Sequence, residues 1–162
     1  MTRLRNYIRI SPVLVAVAMV LFANAAAQAG SGVKVTRIDE AALGKLIADG
    51  DNRLVLSFMA AWCAPCIEEL PYLNKLHRKY KKRGFQVIGI SIDYDGPGAM
   101  QPIVNKLKID FPVYWCGEKA VDKFKLKAIP MLIFIKRGEI VERLHGKRPE
   151  KFLDEKVREF LK

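Results

Sequence analysis

Residues 54–70 have the sequence Leu-Val-Leu-Ser-Phe-Met-Ala-Ala-Trp-Cys-Ala-Pro-Cys-Ile-Glu-Glu-Leu. Their first part, residues 54–60, is almost wholly apolar, which is typical of a strand that is covered on both faces. From residue 63 to residue 82, apolar side chains recur every three or four positions, which predicts a long amphipathic helix. The sequence therefore predicts that Cys63 lies where a buried strand ends and a helix begins.

The pair formed by Cys63 and Cys66 indicates chemistry rather than structural cross-linking, because a bridge between them closes too small a loop to stabilise the chain much. At a helix start, unpaired backbone N–H groups and the helix dipole favour an anion, so we expect the pKa of Cys63 to lie below that of free cysteine. An exposed Cys63 thiolate would attack a disulfide, and a more shielded Cys66 would resolve the mixed disulfide. Pro65 suits the first helical turn, where its missing N–H has no helical partner.

The rest of the chain alternates between helix and strand patterns. The further predicted helices are residues 39–49 with Asp39 as N-cap and Gly50 as stop, 100–107, 119–126, and a last helix with Pro149 at its first position. The further predicted strands are residues 33–37, 85–92, 111–115, 131–135 and 139–144, the last two joined at Gly138. This order predicts an α/β fold with helices on both faces of a mixed central sheet, which is largely parallel with an antiparallel edge. Functional residues should gather at the carboxyl ends of the parallel strands.

The N-terminal residues 1–29 are predicted to be a signal peptide. Basic residues precede an unbroken apolar run at residues 12–23, and Ala27 and Ala29 supply the small side chains expected before a cut. The apolar run is shorter than the roughly 20 residues that a membrane-spanning helix needs. An uncleaved N-terminal anchor is the alternative. We therefore expect one folded domain at residues 30–162, periplasmic or otherwise extracytoplasmic, and either free or anchored to the membrane by its N-terminus.

The chain is strongly basic, with a formal net charge of +11. Much of this excess has a local explanation, because five basic residues between positions 78 and 83 precede Gly84 at the predicted end of a helix, where cations are favourable. Basic residues are not interleaved with aromatic ones along any stretch of the sequence. Nucleic acid is therefore not an expected partner.

Several of these motifs occur together in a known family. Residues 54–70 resemble the strand, Trp-Cys-x-x-Cys site and helix start of the thioredoxin superfamily. Pro71 matches the helix-kinking proline of that superfamily, and the Ala-Ile-Pro sequence at 128–130 resembles the cis-proline loop that faces the cysteines. The inserted unit at 100–115, together with the predicted signal, resembles the exported TlpA/ResA-type branch of thiol–disulfide oxidoreductases. The resemblance covers residues 35–162.

This resemblance implies a function as well as a fold. It implies a protein-disulfide oxidoreductase without cofactor, in which reduced Cys63 attacks a disulfide of an exported client and Cys66 releases the product. A cis bond before Pro130 would let the backbone of Ile129 pair with an extended client strand, although Pro130 could also simply begin a strand. The implied client-binding residues are Trp62, Ala64, Pro65, Ile129 and Pro130. The branch typically serves cytochrome c maturation or another dedicated substrate, and in an oxidising periplasm it needs a membrane thiol electron donor.

Two features depart from the family pattern or lie outside it. Many thioredoxins have a buried acid six residues before the first cysteine, and here that position is Ser57. The base that serves Cys66 is therefore unassigned, with Asp93, Asp95 and Glu68 as candidates. Cys116 follows a predicted strand on the same rim, where it is either an additional redox thiol or a buried small apolar residue.

Other chemistries remain as alternatives. Cys63 and Cys66 have the spacing of half a zinc site, but Cys116, His77 and His145 supply no second paired spacing, so no metal is expected. His77 is expected to be an exposed helix residue, and His145 to end a hairpin strand. The two alternative functions are a thiol peroxidase of peroxiredoxin type and a non-enzymatic copper-binding assembly chaperone.

Overall fold

A single mixed sheet organises the residues that the computed structural model describes, which are 32–48 and 53–162. The predicted signal peptide and the predicted helix stop at Gly50 lie outside this range. The strands of the described part are β1 (Thr36–Arg37), β2 (Arg53–Met59), β3 (Phe85–Ser91), β4 (Val113–Trp115), β5 (Met131–Lys136) and β6 (Glu139–His145). They follow the spatial order β1-β4-β3-β2-β5-β6. The strands β1 to β4 run parallel, whereas β5 is antiparallel to both β2 and β6.

Helices cover both faces of this sheet. Those of the described part are α1 (Glu40–Ala48), α2 (Ala64–Tyr80), α3 (Pro97–Lys106), α4 (Lys119–Phe124) and α5 (Glu150–Phe160). Side chains alternate between the faces of a strand, yet β2, β3 and β5 are buried at nearly every position. The predicted α/β class and mixed sheet are therefore confirmed. Among the described residues, no helix combines the length and apolar character that crossing a membrane requires.

Several predicted helix ends are confirmed by their capping contacts. Asp39 caps α1, since its Oδ1 accepts a hydrogen bond from the N–H of Ala42 at 2.7 Å. Helix α2 ends in a short 3₁₀ turn, Lys81–Arg83, before Gly84 with its φ of 78°. Pro149 was predicted at the first helical position, but it is the N-cap of α5, with extended backbone angles.

Two strands are shorter than predicted, for different reasons. The segment predicted as a strand at 33–37 is paired only at Thr36–Arg37. Before these residues, the N–H of Val35 donates to Gln101 Oε1 and the carbonyl of Val33 accepts from Gln101 Nε2, so a side chain of α3 replaces the neighbouring strand. The strand predicted at 111–115 begins only at Val113, because Pro112 has no N–H to donate to the ladder.

The register of the sheet brings four loops together at one rim. Met59 lies opposite Ser91, and Ser91 opposite Trp115, so β2, β3 and β4 end at the same level. Antiparallel β5 begins there, with Met131 opposite Phe58. The segments after β2, β3 and β4 and the segment before β5 are consequently neighbours. This rim contains the cysteine pair.

Candidate active site

Cys63 and Cys66 are joined by a disulfide at the start of α2. The two sulfurs lie 2.06 Å apart and the two Cα atoms 5.3 Å apart. Cys63 is the N-cap of α2, and its Sγ accepts a hydrogen bond from the N–H of Cys66 at 3.3 Å. Pro65 lies in the first helical turn, and Pro71 lies within the helix. The sequence prediction of a cysteine at a helix start, facing unpaired N–H groups, is confirmed.

The exposure of the pair differs from the expectation in one respect. Cys63 is only 5% exposed and Cys66 only 2%. The prediction that Cys63 is exposed is therefore wrong for this disulfide-linked state. Cys63 is bonded to Cys66, and its N–H donates to the carbonyl of Ala60 in the turn before α2. The surface at this point is formed instead by Trp62, 57% exposed, and by the exposed residues Ala64 and Pro65.

The loop before β5, which contains Ile129 and Pro130, lies on the same rim as the disulfide. The Ile129–Pro130 peptide bond is cis, as the sequence resemblance implied. Pro130 is buried and Ile129 half-buried, and the carbonyl of Pro130 accepts a hydrogen bond from the N–H of Gly146 at 2.8 Å. Because Met131 pairs with Phe58, this loop lies beside the end of β2 that leads to Cys63. The contact of these residues with a client remains a prediction.

Of the three carboxylates considered as a base for Cys66, Asp93 is the one that bonds to the active-site loop. It is buried, with Oδ1 accepting from the N–H of Ala61 at 2.8 Å and Oδ2 accepting from the hydroxyl of Ser91 at 2.7 Å. Asp95 is exposed, and Glu68 is exposed and paired with Lys147. Asp93 therefore fixes the loop two residues before Cys63.

A fourth carboxylate, Glu69, was missed by the sequence analysis. It is 1% exposed, and its Oε1 accepts a hydrogen bond from the N–H of Arg148 at 2.9 Å. Burial raises the pKa of Glu69, and the Arg148 N–H and the charges of Lys147 and Arg148 offset this only in part. Since Glu69 follows Cys66 by three residues on one helix, the two side chains share a face. An acid within the buried stripe of this helix was the signal available in the sequence.

Glu69→Gln is expected to increase the free energy of unfolding at neutral pH. A raised pKa means that the folded protein holds the Glu69 proton more tightly, so its stabilising contribution is complete below the unfolded pKa and is lost as pH rises through the folded pKa. Glutamine stays neutral and keeps an oxygen for the Arg148 N–H. Urea unfolding between pH 4 and pH 8 measures the difference, with exposed Glu155→Gln as control. Parallel pH profiles for wild type and Glu69→Gln would contradict the assignment.

Cys116 lies on the same rim but is held as a buried thiol. It is 7% exposed, and its N–H donates to the carbonyl of Ser91. Burial raises the pKa of the Cys116 thiol, and the negative charge of Glu40 adds to this effect. A raised pKa lowers the thiolate fraction, and this favours the interpretation of Cys116 as a small apolar residue.

The two histidines lie on α2 and at the end of β6. His77 was predicted to be exposed, but it is half-buried because α2 packs against β3, and its Nδ1 accepts from the N–H of Val87 at 3.2 Å. Burial, with a smaller effect of Lys81, lowers the pKa of His77. His145 is exposed at the end of β6, as predicted. Within residues 32–48 and 53–162, no three His, Cys, Asp or Glu side chains form a group that could hold a metal ion.

In sequence, the chain is similar to one protein family and to several thiol-disulfide oxidoreductases. The AhpC/TSA family model matches residues 31–143. Thiol-disulfide oxidoreductases named ResA from Bacillus thuringiensis (strain Al Hakam) and Bacillus anthracis are each 33% identical over 101 residues, which is 61% of this chain and 58% of theirs. The chain thus spans little more than half the length of these curated relatives.

Solved structures show the same fold. A thiol:disulfide interchange protein of the thioredoxin family from Chlorobium tepidum TLS superposes with a TM-score of 0.64 at 21% identity, covering 74% of this chain and 85% of that one. StoA from Bacillus subtilis gives a TM-score of 0.60 at 18% identity, covering 68% and 86%. The fold predicted from the sequence, thioredoxin-like, is therefore confirmed.

Proposed function

Since the chain belongs to the AhpC/TSA family and carries a Cys-x-x-Cys disulfide at a helix start, we propose that it is a thiol–disulfide oxidoreductase of ResA type. It reduces disulfides of client proteins through Cys63 and Cys66. The observation that carries the proposal is the hydrogen bond from the Cys66 N–H to the Cys63 sulfur, because the same N–H stabilises a thiolate at Cys63 after reduction.

The reaction consists of two exchanges at sulfur. In the first, the Cys63 thiolate attacks a client disulfide, a Cys63–client disulfide forms, and one client sulfur leaves as a thiolate. In the second, the Cys66 thiol loses its proton and attacks Cys63, the Cys63–Cys66 disulfide forms, and the second client sulfur leaves. The client gains two electrons and the protein loses two. Buried Glu69, with its raised pKa and its place one turn after Cys66, suits the role of acceptor for the Cys66 proton.

Client binding is proposed at the surface around the disulfide. Exposed Trp62, Ala64 and Pro65 form one side of this surface. On the other side, the backbone of Ile129 precedes an antiparallel strand at the level of the disulfide, a position from which it can pair with an extended client segment. The cytochrome c maturation system is the client class that the TlpA/ResA resemblance suggests.

An extracytoplasmic location is part of the proposal. Residues 1–29 have the layout of a secretory signal, cleaved or retained as an anchor. A disulfide reductase outside the cytoplasm must be recharged, and a membrane thiol electron donor is the partner proposed for this step. N-terminal sequencing of the protein from the extracytoplasmic fraction of expressing cells should begin at Gly30 when the signal is cleaved, whereas a retained anchor should leave the uncleaved chain in the membrane fraction with its folded domain outside the cytoplasm. A cytoplasmic protein that starts at Met1 would refute the proposed location.

The functional proposal predicts that the reduced protein reduces a peptide disulfide faster than it consumes hydrogen peroxide. Insulin-type disulfide reduction and peroxide consumption are measured side by side. Peroxide consumption that survives Cys66→Ser but not Cys63→Ser would favour a peroxidase instead. Stoichiometric retention of Cu(I) without disulfide reduction would favour a copper chaperone. A reduction potential near about −120 mV, typical of strong oxidants, would reverse the proposed direction.

A further inference from the structure

A cleft of about 820 Å³ opens on the rim that carries the disulfide, on the side away from Pro130. Its walls are the segment between β1 and α1 (37–41), the residues after β3 (93–94) and the residues from the end of β4 to the start of α4 (115–119). The spatial order β4-β3-β2-β5 places this cleft, the disulfide and the Pro130 loop in one row along the rim.

Two residues connect the cleft with the active-site loop. Asp93 lines the cleft and accepts the hydrogen bond from the N–H of Ala61, two residues before Cys63. Tyr94 also lines the cleft, and its ring stacks with that of Trp62, with centroids 6.3 Å apart and an interplanar angle of 13°. Both rings are exposed, Tyr94 by 71% and Trp62 by 57%. An aromatic surface therefore leads from the disulfide into the cleft.

The charges of the cleft are opposite to those of the chain as a whole. Four carboxylates line it, against two cations, whereas the chain carries a net charge of +11. Glu118 and Glu40 are exposed there. The Nζ of Lys123 donates to the backbone carbonyl of Glu40 at 2.9 Å and lies 3.9 Å from Glu40 Oε2, a long and weak ion pair. Arg37 is stacked over the ring of Trp115, 4.2 Å from its centroid. Since Arg37 covers the Trp115 ring, a cation that enters the cleft meets the exposed carboxylates and the exposed ring of Tyr94.

We propose that this cleft binds a Lys or Arg side chain of the client, about two or three residues from the client cysteine that Cys63 attacks. The inference rests on the proposed function and specifies its substrate. The cleft spans the ends of β3, β4 and β1 and is centred on β4, two strand spacings of about 4.8 Å from the end of β2, and an extended chain advances about 3.3 Å per residue. The apolar stem of a lysine or arginine packs on exposed Tyr94, while its charge reaches Glu40 and Glu118.

The test uses two symmetric peptide dimers, each joined by one cystine and identical in composition and net charge. One carries lysines three residues from the cysteine and glutamates at its far end, and the other has these positions exchanged. Equal net charge cancels attraction or repulsion by the basic chain as a whole. The reduced wild-type protein is expected to reduce the first dimer about tenfold faster, within the range of electrostatic effects on association in charged clefts.

The variant Glu40→Gln/Glu118→Gln is expected to bring this ratio close to one, and so is 1 M salt, where the Debye length is about 3 Å. The matched control, Glu139→Gln/Glu155→Gln, changes two exposed carboxylates on β6 and α5 and should keep the ratio. If the double variant does not fold, Glu118→Gln alone replaces it and is expected to give an intermediate ratio of the two reduction rates. A wild-type ratio near one, or a ratio that the Glu40 and Glu118 changes leave intact, overturns the cleft proposal while the oxidoreductase proposal stands. Failure to reduce either dimer overturns both.

Discussion

Cys63→Ser is expected to lower the rate of disulfide reduction by about a thousandfold or more, because a serine hydroxyl supplies no thiolate at neutral pH. Cys66→Ala should behave differently. It keeps the attacking sulfur at the N-cap of α2 but removes the group that resolves the mixed disulfide, so the client should remain covalently attached to Cys63. Mass spectrometry of the trapped adduct would identify both the attacking cysteine and the client.

The pair of variants distinguishes the roles of the two sulfurs. Adducts formed at Cys66 in Cys63→Ser, at the rate seen for Cys66→Ala, would contradict the assigned order of attack. Titration of the thiolate by ultraviolet absorbance in Cys66→Ala tests the physical reason for that order. A Cys63 pKa at or above about 8.5, the value of free cysteine, would show that the helix start does not stabilise the thiolate.

Phe58→Ala is expected to lower the free energy of unfolding by about 3–5 kcal/mol. Phe58 lies in β2, is fully buried, and its ring contacts that of Phe124 in α4 with centroids 4.9 Å apart. Removing the ring leaves a cavity between the sheet and α4 that neighbouring side chains fill only in part. Since domains of this size are stable by about 5–15 kcal/mol, a large share of the total would be lost.

Urea unfolding of the oxidised protein measures this loss, and Phe58→Leu is the matched control. Leucine retains most of the apolar volume and should cost less than about 1.5 kcal/mol if the site repacks. An alanine variant destabilised by less than about 1 kcal/mol would mean that the contact between β2 and α4 is not a rigid part of the core.

The parts of the fold that were predictable from the sequence are those with local signals. The buried run at β2 and the helical spacing of α2 placed Cys63 at a helix start, and Asp39 and Gly84 marked helix ends through their own backbone preferences. The strand at 33–37 was predicted too long because the partner that replaces the sheet there, Gln101, is 66 residues from Val35. No local pattern reveals such a contact.

In the candidate site, too, the features with local sequence signals were predictable and those that depend on distant contacts were not. The Trp-Cys-x-x-Cys motif and the Pro130 loop were recognisable, and the structure brings them to one rim. Glu69 was missed because an acid inside a helix usually faces solvent, and its burial depends on Arg148, 79 residues away. His77 was wrongly expected to be exposed because its contact with the Val87 N–H depends on how α2 lies on β3. In each case a tertiary contact decided the outcome.

The short connection between β6 and α5 bonds to both the Pro130 loop and helix α2. The N–H of Gly146 bonds to the carbonyl of Pro130, and the N–H of Arg148, two residues later, bonds to the carboxylate of Glu69. A displacement of the Pro130 carbonyl is therefore transmitted through residues 146–148 to the Glu69 carboxylate on α2. Through this tether, the loop that would meet the client and the helix that carries Cys66 are mechanically joined away from the sulfur atoms themselves.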